Sequence, residues 1–256
     1  MIGNYRKNFK LFKDNLSDQL GCHNNIEVEM AFERLINIGS VSSIIDVLEW
    51  YDEQKRKCTM SSEIIPLNEC KQWSMDKETG SFIHNSGEFF RVDGIRVSNT
   101  TGREVTGGWD QPILTQIGYD GGILGLIRKR INEVPHYLVE AKAEPGNYNI
   151  VQISTTVQAT FSNLKQAHEG NATPFSEYFL TPEKVGATVI FDRWMSEDGG
   201  RLFNKRNRSM VVEIDELKEL DLNDRYRWLT LWQLIELTRR YDAIVAPHIR
   251  GILSAV

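Results

Sequence analysis

The middle of the chain alternates short apolar and polar segments, whereas both of its ends have helical periodicity. Four turn signals between residues 74 and 105 predict successive hairpins: Glu78-Thr79-Gly80, Asn85-Ser86-Gly87, Val92-Asp93-Gly94 and Thr101-Gly102. Further strand-like segments follow at 113–117, 123–131, 137–143, 156–161, 187–194 and 210–214. Apolar residues have helical spacing over 26–57 and again in WLTLWQLIELTRRYD near the end. The pattern predicts an α+β fold, with a mostly antiparallel or mixed sheet between helices.

The chain has no feature that divides it into several domains. It contains no internal repeat of short period and no low-complexity linker, and its 256 residues suffice to bury a core. Residues 1–60 are predicted to form an N-terminal helical segment, broken near Gly39-Ser40, and residues 61–256 to form one α+β domain. One compact unit is expected.

The composition limits the possible binding partners of the protein and its cellular compartment. The 35 acidic residues exceed the 30 basic ones, and a net charge of −5 argues against a nucleic-acid partner. No run approaches the roughly 18 apolar residues of a membrane-spanning helix, and the N-terminus lacks the apolar region of a secretory signal. Three cysteines without C-x-x-C spacing argue against a disulfide framework or a zinc site. A cytoplasmic protein is expected.

The strand that runs from His136 to Glu144 concentrates ionisable side chains. Because alternate side chains of a strand share a face, one face is predicted to carry an imidazole, two carboxylates and an ammonium; these belong to His136, Glu140, Lys142 and Glu144. Such a row can remove a proton and return it elsewhere, which is general acid–base chemistry. A solvent-facing strand whose charges pair with one another is the alternative.

The next polar strand offers uncharged hydrogen-bonding groups. Its polar face is predicted to carry Thr156, Gln158, Thr160 and Ser162, with Asn163 at its end. Such a face suits a ligand rich in hydroxyl or amide groups, although Ser and Thr are also common on ordinary exposed strands. His168 follows closely enough to reach the same site.

Two further segments have the chemistry to bind a nucleotide. Four cations between Arg201 and Arg208 could hold a diphosphate, because guanidinium groups match phosphate oxygens. Trp109 and Gln111 follow two glycines and could stack on a nucleobase and hydrogen-bond to it. A charged hairpin in solvent and a tryptophan at the rim of the core are the alternatives.

Several common catalytic motifs are absent from the sequence. There is no G-x-G-x-x-G, no G-x-x-x-x-G-K-[ST], no H-E-x-x-H and no G-x-S-x-G. These absences argue against dinucleotide-binding, P-loop, zincin and α/β-hydrolase chemistry. We therefore expect neither a metal nor a cofactor.

Several longer motifs occur in one order between residues 73 and 237. They are Trp109-x-Gln-Pro-Ile113, Gly122-Ile-Leu-Gly125, Ala141-Lys-x-Glu-Pro-Gly-Asn147, Thr156-Val-Gln-Ala-Thr-x-Ser-Asn163, Ser196-Glu197, Lys205-Arg-Asn-Arg208 and Trp228-Leu-Thr-Leu231. In these motifs and their order the chain resembles the NDP-hexose 2,3-dehydratases of deoxysugar biosynthesis. The resemblance implies a Nudix-like fold in non-hydrolytic use.

The resemblance also implies a reaction. The substrate would be a dTDP-linked 4-keto-6-deoxyhexose, and the enzyme a carbon–oxygen lyase (hydro-lyase). The 4-keto group acidifies the C3 proton; its removal gives an enolate, the C2 hydroxyl leaves, and tautomerisation yields a 3,4-diketo-2,6-dideoxyhexose. This elimination needs a base, a stabiliser for the enolate oxygen and an acid for the leaving hydroxyl.

The resemblance assigns these roles to the residues already singled out. Glu144 would be the base, Lys142 the enolate stabiliser, and His136 or Glu140 the acid. The strand from Thr156 to Asn163 would hold the sugar hydroxyls. Arg206 and Arg208 would bind the diphosphate, and Trp109 with Gln111 the thymine.

This chain departs from the family pattern in three places. It carries one copy of a unit that family members carry in tandem, so a homodimer is expected. Glu140 stands where glutamine is expected and Thr155 where proline is expected, which leaves the choice of base between Glu140 and Glu144 open. A downstream ketoreductase is a further expected partner.

Two other functions compete with the dehydratase. A Nudix-type hydrolase would need the box G-x5-E-x7-R-E-U-x-E-E-x-G-U (U, aliphatic) to hold magnesium, and the sequence has no counterpart. A non-catalytic subunit that binds a nucleotide sugar is the other alternative.

Overall fold

The computed structural model describes residues 3–20, 25–98, 101–102, 105–118, 121–164 and 172–255. The helices are α1 (Gly3–Leu20), α2 (Asn25–Leu35), α3 (Ile44–Lys57), α4 (Phe161–Leu164), α5 (Glu177–Leu180), α6 (Leu231–Arg240) and α7 (Pro247–Ala255). The strands are β1 (Trp73–Met75), β2 (Phe82–His84), β3 (Phe90–Val97), β4 (Trp109–Gln116), β5 (Gly122–Ile131), β6 (Val134–Ala143), β7 (Val151–Thr155), β8 (Val157–Thr160), β9 (Thr188–Ser196), β10 (Arg206–Ile214) and β11 (Tyr226–Leu229). No helix among the described residues is long and apolar enough to span a membrane.

The predicted break in the N-terminal helical region is confirmed. Gly39 has a left-handed φ of +70° and lies so close to Val134 that a Cβ atom would meet Cγ2 of that valine at 2.6 Å. The next helix, α3, begins with a capping box, in which Ser43 Oγ accepts from the Asp46 N–H at 3.1 Å and Asp46 Oδ2 accepts from the Ser43 N–H at 2.7 Å. The division of the chain at residue 60 stays a prediction.

The strands form two sheets, which confirms the predicted α+β fold with a mixed sheet. The first is antiparallel, in the order β1-β2-β3-β4. The second has the order β11-β6-β5-β10-β9, with β7 on β6 and β8 on β5, and only its β5–β10 pair is parallel among the pairings described. The structure confirms the turns at 78–80 and 85–87 and a connection at 101–102 between β3 and β4.

The predicted hairpin turn at 92–94 is wrong. Val92, Asp93 and Gly94 lie inside β3, where Gly94 is opposite Pro112 of β4. The Asp-Gly pair is a local turn signal, but eight consecutive residue pairs between β3 and β4 outweigh it.

The strands β5 and β6 separate partway along their length. They pair from Ile131↔Val134 up to Ile127↔Leu138. Beyond that point β6 pairs with β7 and β5 pairs with β8. The segment 151–160, which contains β7 and β8, therefore fills the gap between the diverging strands. Thr156 stands at the junction: its hydroxyl donates to the Leu138 carbonyl at 2.5 Å and accepts from the Ile127 N–H at 3.0 Å.

The helices α1 and α2 are joined to the large sheet through a buried group of charges. Arg128 of β5 has no exposed surface, and its guanidinium lies 2.8 Å from Glu29 and 2.7 Å from Glu33 of α2. It also contacts Glu213 of β10, and the Tyr137 hydroxyl donates to Glu33 at 2.8 Å. Because a buried charge without a partner is costly, this group holds α2 in one position on the sheet.

Candidate active site

A cleft of about 370 Å³ opens where β5 and β6 diverge. Strands of both sheets, the β9–β10 hairpin and the start of α7 form its walls. Its polar lining includes side chains of both charges: Lys142, Glu144, Gln158, Thr160, Asn163, Glu197, Lys205, Asn207 and His248. Its apolar lining is Phe90, Leu124, Ala159 and Leu202. This mixture is typical of a pocket that orients a polar ligand on an apolar floor.

The end of β6 and the facing β8 hold each other's polar groups in place. Lys142 Nζ donates to the Gln158 carbonyl at 3.1 Å and lies 3.7 Å from Glu144 Oε1. The Gln158 amide donates to the same carboxylate oxygen at 3.4 Å and accepts from the buried Ser154 hydroxyl at 2.8 Å. An ammonium and a carboxylate are thus kept side by side in the cleft by a shared neighbour.

Glu140 precedes Lys142 by two residues on β6 and does not line the cleft. It is 7% exposed, and Arg225 Nη1 lies 3.5 Å from its carboxylate. Burial raises the pKa of Glu140, and the charges of Lys142 and Arg225 oppose this effect. The structure therefore places Glu140 close to the proposed base without bringing it to the cleft surface.

The structure does not bring His136 to the cleft. Its ring is fully buried; Nδ1 donates to the Val134 carbonyl at 2.8 Å and Nε2 accepts from the Val41 N–H at 3.2 Å. Burial lowers its pKa, which matches a neutral ring that supports the backbone. Alternation along β6 predicts that His136 and Lys142 lie on the same face. However, His136 precedes Lys142 by six residues, and six residues of strand span about 20 Å.

Three of the predicted sugar-binding residues reach the cleft. They are Gln158 and Thr160 on β8 and Asn163 on α4. Thr156 does not, because its buried hydroxyl joins β5 to β6. The Ser162 side chain and His168 lie outside the described residues.

The structure does not bring Arg206 or Arg208 to the cleft, and their role in binding the diphosphate stays a prediction. Asn207 lines the cleft, and since neighbouring side chains of a strand point to opposite faces, the two arginines face away from it. Arg208 donates to the two carboxylate oxygens of Asp192, from Nε at 2.8 Å and from Nη2 at 2.6 Å. The exposed Arg206 guanidinium lies 4.7 Å from the centre of the Trp194 ring. The cation of this motif that reaches the cleft is Lys205.

Trp109 and Gln111 lie on β4, outside the lining of the cleft. The indole N–H donates to the Gln111 side-chain oxygen at 2.7 Å, and the Gln111 amide donates to the Gly200 carbonyl at 3.0 Å. The pair thus ties the small sheet to the β9–β10 hairpin. Their role in binding thymine stays a prediction.

The sequence interpretation missed His248, which comes from α7. Its Nδ1 atom is buried and has no hydrogen-bond partner among the described residues. Burial lowers its pKa; Glu197 and Glu144 oppose that shift, while Lys142 and Arg250 act with it. A histidine more than a hundred residues from β6 carries no local signal of this proximity.

Glu197 and Lys205 were also missed as site residues, although both stand in motifs that carry the family resemblance. The Asn207 amide donates to Glu197 Oε1 at 2.5 Å. Lys205 Nζ donates to the Gln116 side-chain oxygen and lies 5.7 Å from the centre of the Phe90 ring. These contacts fix a second carboxylate and a second ammonium in the lining of the cleft.

Comparison with known proteins decides the family. The model of the NDP-hexose 2,3-dehydratase family matches residues 45–256. The chain belongs to this family. The match begins within α3 and includes every residue that lines the cleft, whereas α1 and α2 lie outside it.

Curated relatives of this dehydratase-family chain are longer. A dTDP-4-dehydro-6-deoxy-alpha-D-glucopyranose 2,3-dehydratase of Saccharopolyspora spinosa is 39% identical over 207 residues, which cover 81% of this chain and 41% of the relative. A protein of the same name from Amycolatopsis orientalis is 38% identical over 214 residues, 82% of this chain and 44% of the relative. The chain spans about two-fifths of the length of the curated relatives it matches.

Among solved structures, an Ap4A hydrolase of C. elegans covers 53% of this chain at 10% identity, and the match covers 95% of the hydrolase. Its TM-score is 0.29, which is too low to support an argument about the fold. The Nudix-like character of this dehydratase-family chain therefore stays a prediction.

Proposed function

We propose that this chain is a hydro-lyase, a 2,3-dehydratase of a dTDP-linked 4-keto-6-deoxyhexose. The observation that carries the proposal is the cleft, whose lining combines a carboxylate and an ammonium 3.7 Å apart with an imidazole and several neutral hydrogen-bonding groups. Family membership and the names of the curated relatives support the substrate class.

The first step of the proposed reaction uses Glu144 and Lys142. The Glu144 carboxylate takes the proton from C3, and the electron pair of the C3–H bond forms the C3=C4 enolate. The positive charge of the Lys142 ammonium stabilises the negative oxygen on C4. The ammonium is already held close to the base, so it need not be repositioned when the charge develops. Gln158, Thr160 and Asn163 hold the sugar hydroxyls.

The second step needs a proton for the leaving hydroxyl, and we assign its transfer to His248. The enolate collapses to the C4 ketone, a C2=C3 double bond forms and the C2–O bond breaks. The neutral imidazole accepts from Glu144 the proton that was removed from C3. It donates this proton to the departing C2 oxygen, which leaves as water. The remaining C3 enol then tautomerises to the 3,4-diketo sugar.

The role of His248 predicts a pH dependence. Because burial lowers its pKa, the imidazole stays neutral down to a pH below the ordinary histidine value of 6.5. Turnover should fall as the pH drops through the lowered pKa, and His248→Gln should have low activity without this acidic limb. The charged groups around His248 are Glu197, Glu144, Lys142 and Arg250. An unchanged acidic limb in the variant would remove His248 from the reaction.

The test of the function is turnover of dTDP-4-keto-6-deoxyglucose by the purified protein. The product is trapped by a ketoreductase or detected as released maltol. Binding of the substrate by calorimetry without turnover would indicate a non-catalytic binding subunit instead. Release of a nucleoside monophosphate, abolished by a chelator, would indicate a hydrolase.

We also propose that the protein is a cytoplasmic homodimer that passes its product to a ketoreductase. The homodimer would bring together two units where family members carry two in tandem. Light scattering at micromolar concentration should give twice the chain mass of 29.4 kDa. A mass of one chain would contradict this prediction.

A further inference from the structure

A buried serine contacts one of the polar side chains that line the cleft. Ser154 of β7 is 2% exposed and does not line the cleft itself. It stands opposite Glu140 in the β6–β7 pairing, and directly opposed side chains share a face of the sheet. Its hydroxyl therefore lies on the face that also carries Lys142. Neither the proposed reaction nor the sequence motifs assign Ser154 a role.

Ser154 holds the side chain of Gln158, which contacts both of the groups proposed for the first step. The Ser154 hydroxyl donates to Gln158 Oε1 at 2.8 Å. The other end of the same amide, Nε2, donates to Glu144 Oε1 at 3.4 Å. The backbone carbonyl of Gln158 accepts from Lys142 Nζ at 3.1 Å. One buried hydroxyl thus anchors the residue that the base and the ammonium both contact.

The chemistry of these groups favours one orientation of the Gln158 amide. An ionised carboxylate can only accept hydrogen bonds, whereas a glutamine amide donates from its nitrogen and accepts at its oxygen. If the amide turned by half a turn, its oxygen would face the Glu144 carboxylate and the contact would become repulsive. Because Ser154 donates to the amide oxygen, Gln158 presents N–H donors to the carboxylate and to a ligand in the cleft.

We propose that Ser154 is a positioning residue of the active site. It fixes the Gln158 amide, which in turn holds the Glu144 carboxylate beside Lys142. Gln158 and Lys142 both contact Oε1 of Glu144, so we assign the C3 proton to the other oxygen, Oε2. The direction of the base matters, because a small misplacement of a reacting group lowers the rate by a large factor. The catalytic part of this inference rests on the proposed function, whereas the anchoring of the amide does not.

The kinetic test compares Ser154→Ala with the wild-type protein on dTDP-4-keto-6-deoxyglucose. We expect kcat to fall about tenfold, because the base loses its fixed direction, and KM to change less than about threefold. Thr155→Val is the control. Thr155 also has a buried hydroxyl on β7, but this hydroxyl donates to the Val157 carbonyl at 2.8 Å, and as the neighbouring residue Thr155 points to the opposite face. The control should keep kcat within about twofold of wild type, and circular dichroism verifies that both variants fold.

A double-mutant cycle tests whether Ser154 acts through Gln158. Gln158→Met keeps the length of the side chain but removes both of its hydrogen-bonding groups. In this background Ser154→Ala should change kcat less than about twofold, because the group that Ser154 positions is already gone. A further loss of about tenfold in the double variant would show that Ser154 acts by another route and would overturn the proposal. Wild-type kcat in Ser154→Ala would also overturn it.

Nuclear magnetic resonance tests the anchoring without turnover. In protein labelled at the side-chain nitrogen of glutamine, Gln158→Met identifies the signals of the Gln158 amide. Ser154→Ala should move these signals toward those of a free glutamine side chain, whereas Thr155→Val should leave them in place. Unchanged signals in Ser154→Ala would contradict the anchoring. Failure of the proposed function looks different, since the wild-type protein would then not turn over the keto sugar while the Gln158 signals still depend on Ser154.

Discussion

Replacing Glu144 by glutamine is expected to lower turnover of the keto sugar about 10²- to 10⁴-fold. The amide fills the same space but cannot accept the C3 proton. Lys142→Ala should cause a loss of similar size, because the enolate oxygen then lacks the ammonium that lies 3.7 Å from the base. Affinity for dTDP should change less than about threefold in either variant.

Steady-state kinetics and calorimetry on the same preparations check this expectation. Glu78→Gln serves as the control, because Glu78 is exposed in the β1–β2 turn. Near wild-type turnover in Glu144→Gln would place the base elsewhere. Glu140 is then the next candidate, since it is two residues from Lys142 on the same strand and burial raises its pKa; Glu140→Gln would test it.

The second large effect concerns stability. Arg128→Ala is expected to lower the free energy of unfolding by about 3–5 kcal/mol, because the buried Glu33 carboxylate then has no cationic partner, while Glu29 keeps only Arg130. The melting temperature should fall by roughly 10 °C. Burial raises the pKa of Glu33. Since a protonated carboxyl carries no charge to bury, the loss should shrink as the pH falls through that raised pKa.

Two comparisons separate the buried charge from ordinary packing. Arg6→Ala breaks an exposed ion pair with Glu133 and should cost less than about 1 kcal/mol. Arg128→Met combined with Glu29→Gln and Glu33→Gln should recover part of the stability, because the two carboxylates on α2 are then neutral and Glu213, which also loses Arg128, is partly exposed. If Arg128→Ala costs no more than Arg6→Ala, the group does not hold α2 on the sheet.

Local pattern was sufficient for the class of the fold and for part of the site. Periodicity distinguished the terminal helices from the central strands, and Gly39 marked the break before α3. The alternation along β6 and β8 also selected Lys142, Glu144 and Gln158, which do line the cleft. These predictions succeeded because they depend on side-chain direction within a single element.

Other predictions failed where a residue's role depends on a distant partner. His136 and Lys142 share a strand, but the ring of His136 is enclosed by the segment around Val41. Thr156 belongs to a polar stretch, but it stands where β5 and β6 separate and its hydroxyl is used by both strands. The face of a strand on which a side chain lies does not show how far along the strand it is, nor which segments pack over it.

The sequence by itself therefore determined the class of the fold, the family and the polar character of two strands, because each depends on the pattern of neighbouring residues. Only the tertiary structure decided which of those polar groups meet. It turned Arg208 toward Asp192 and brought His248 from α7 beside the end of β6. The physical reason is that a site is assembled by pairing and packing between segments far apart in the chain, which local periodicity does not record.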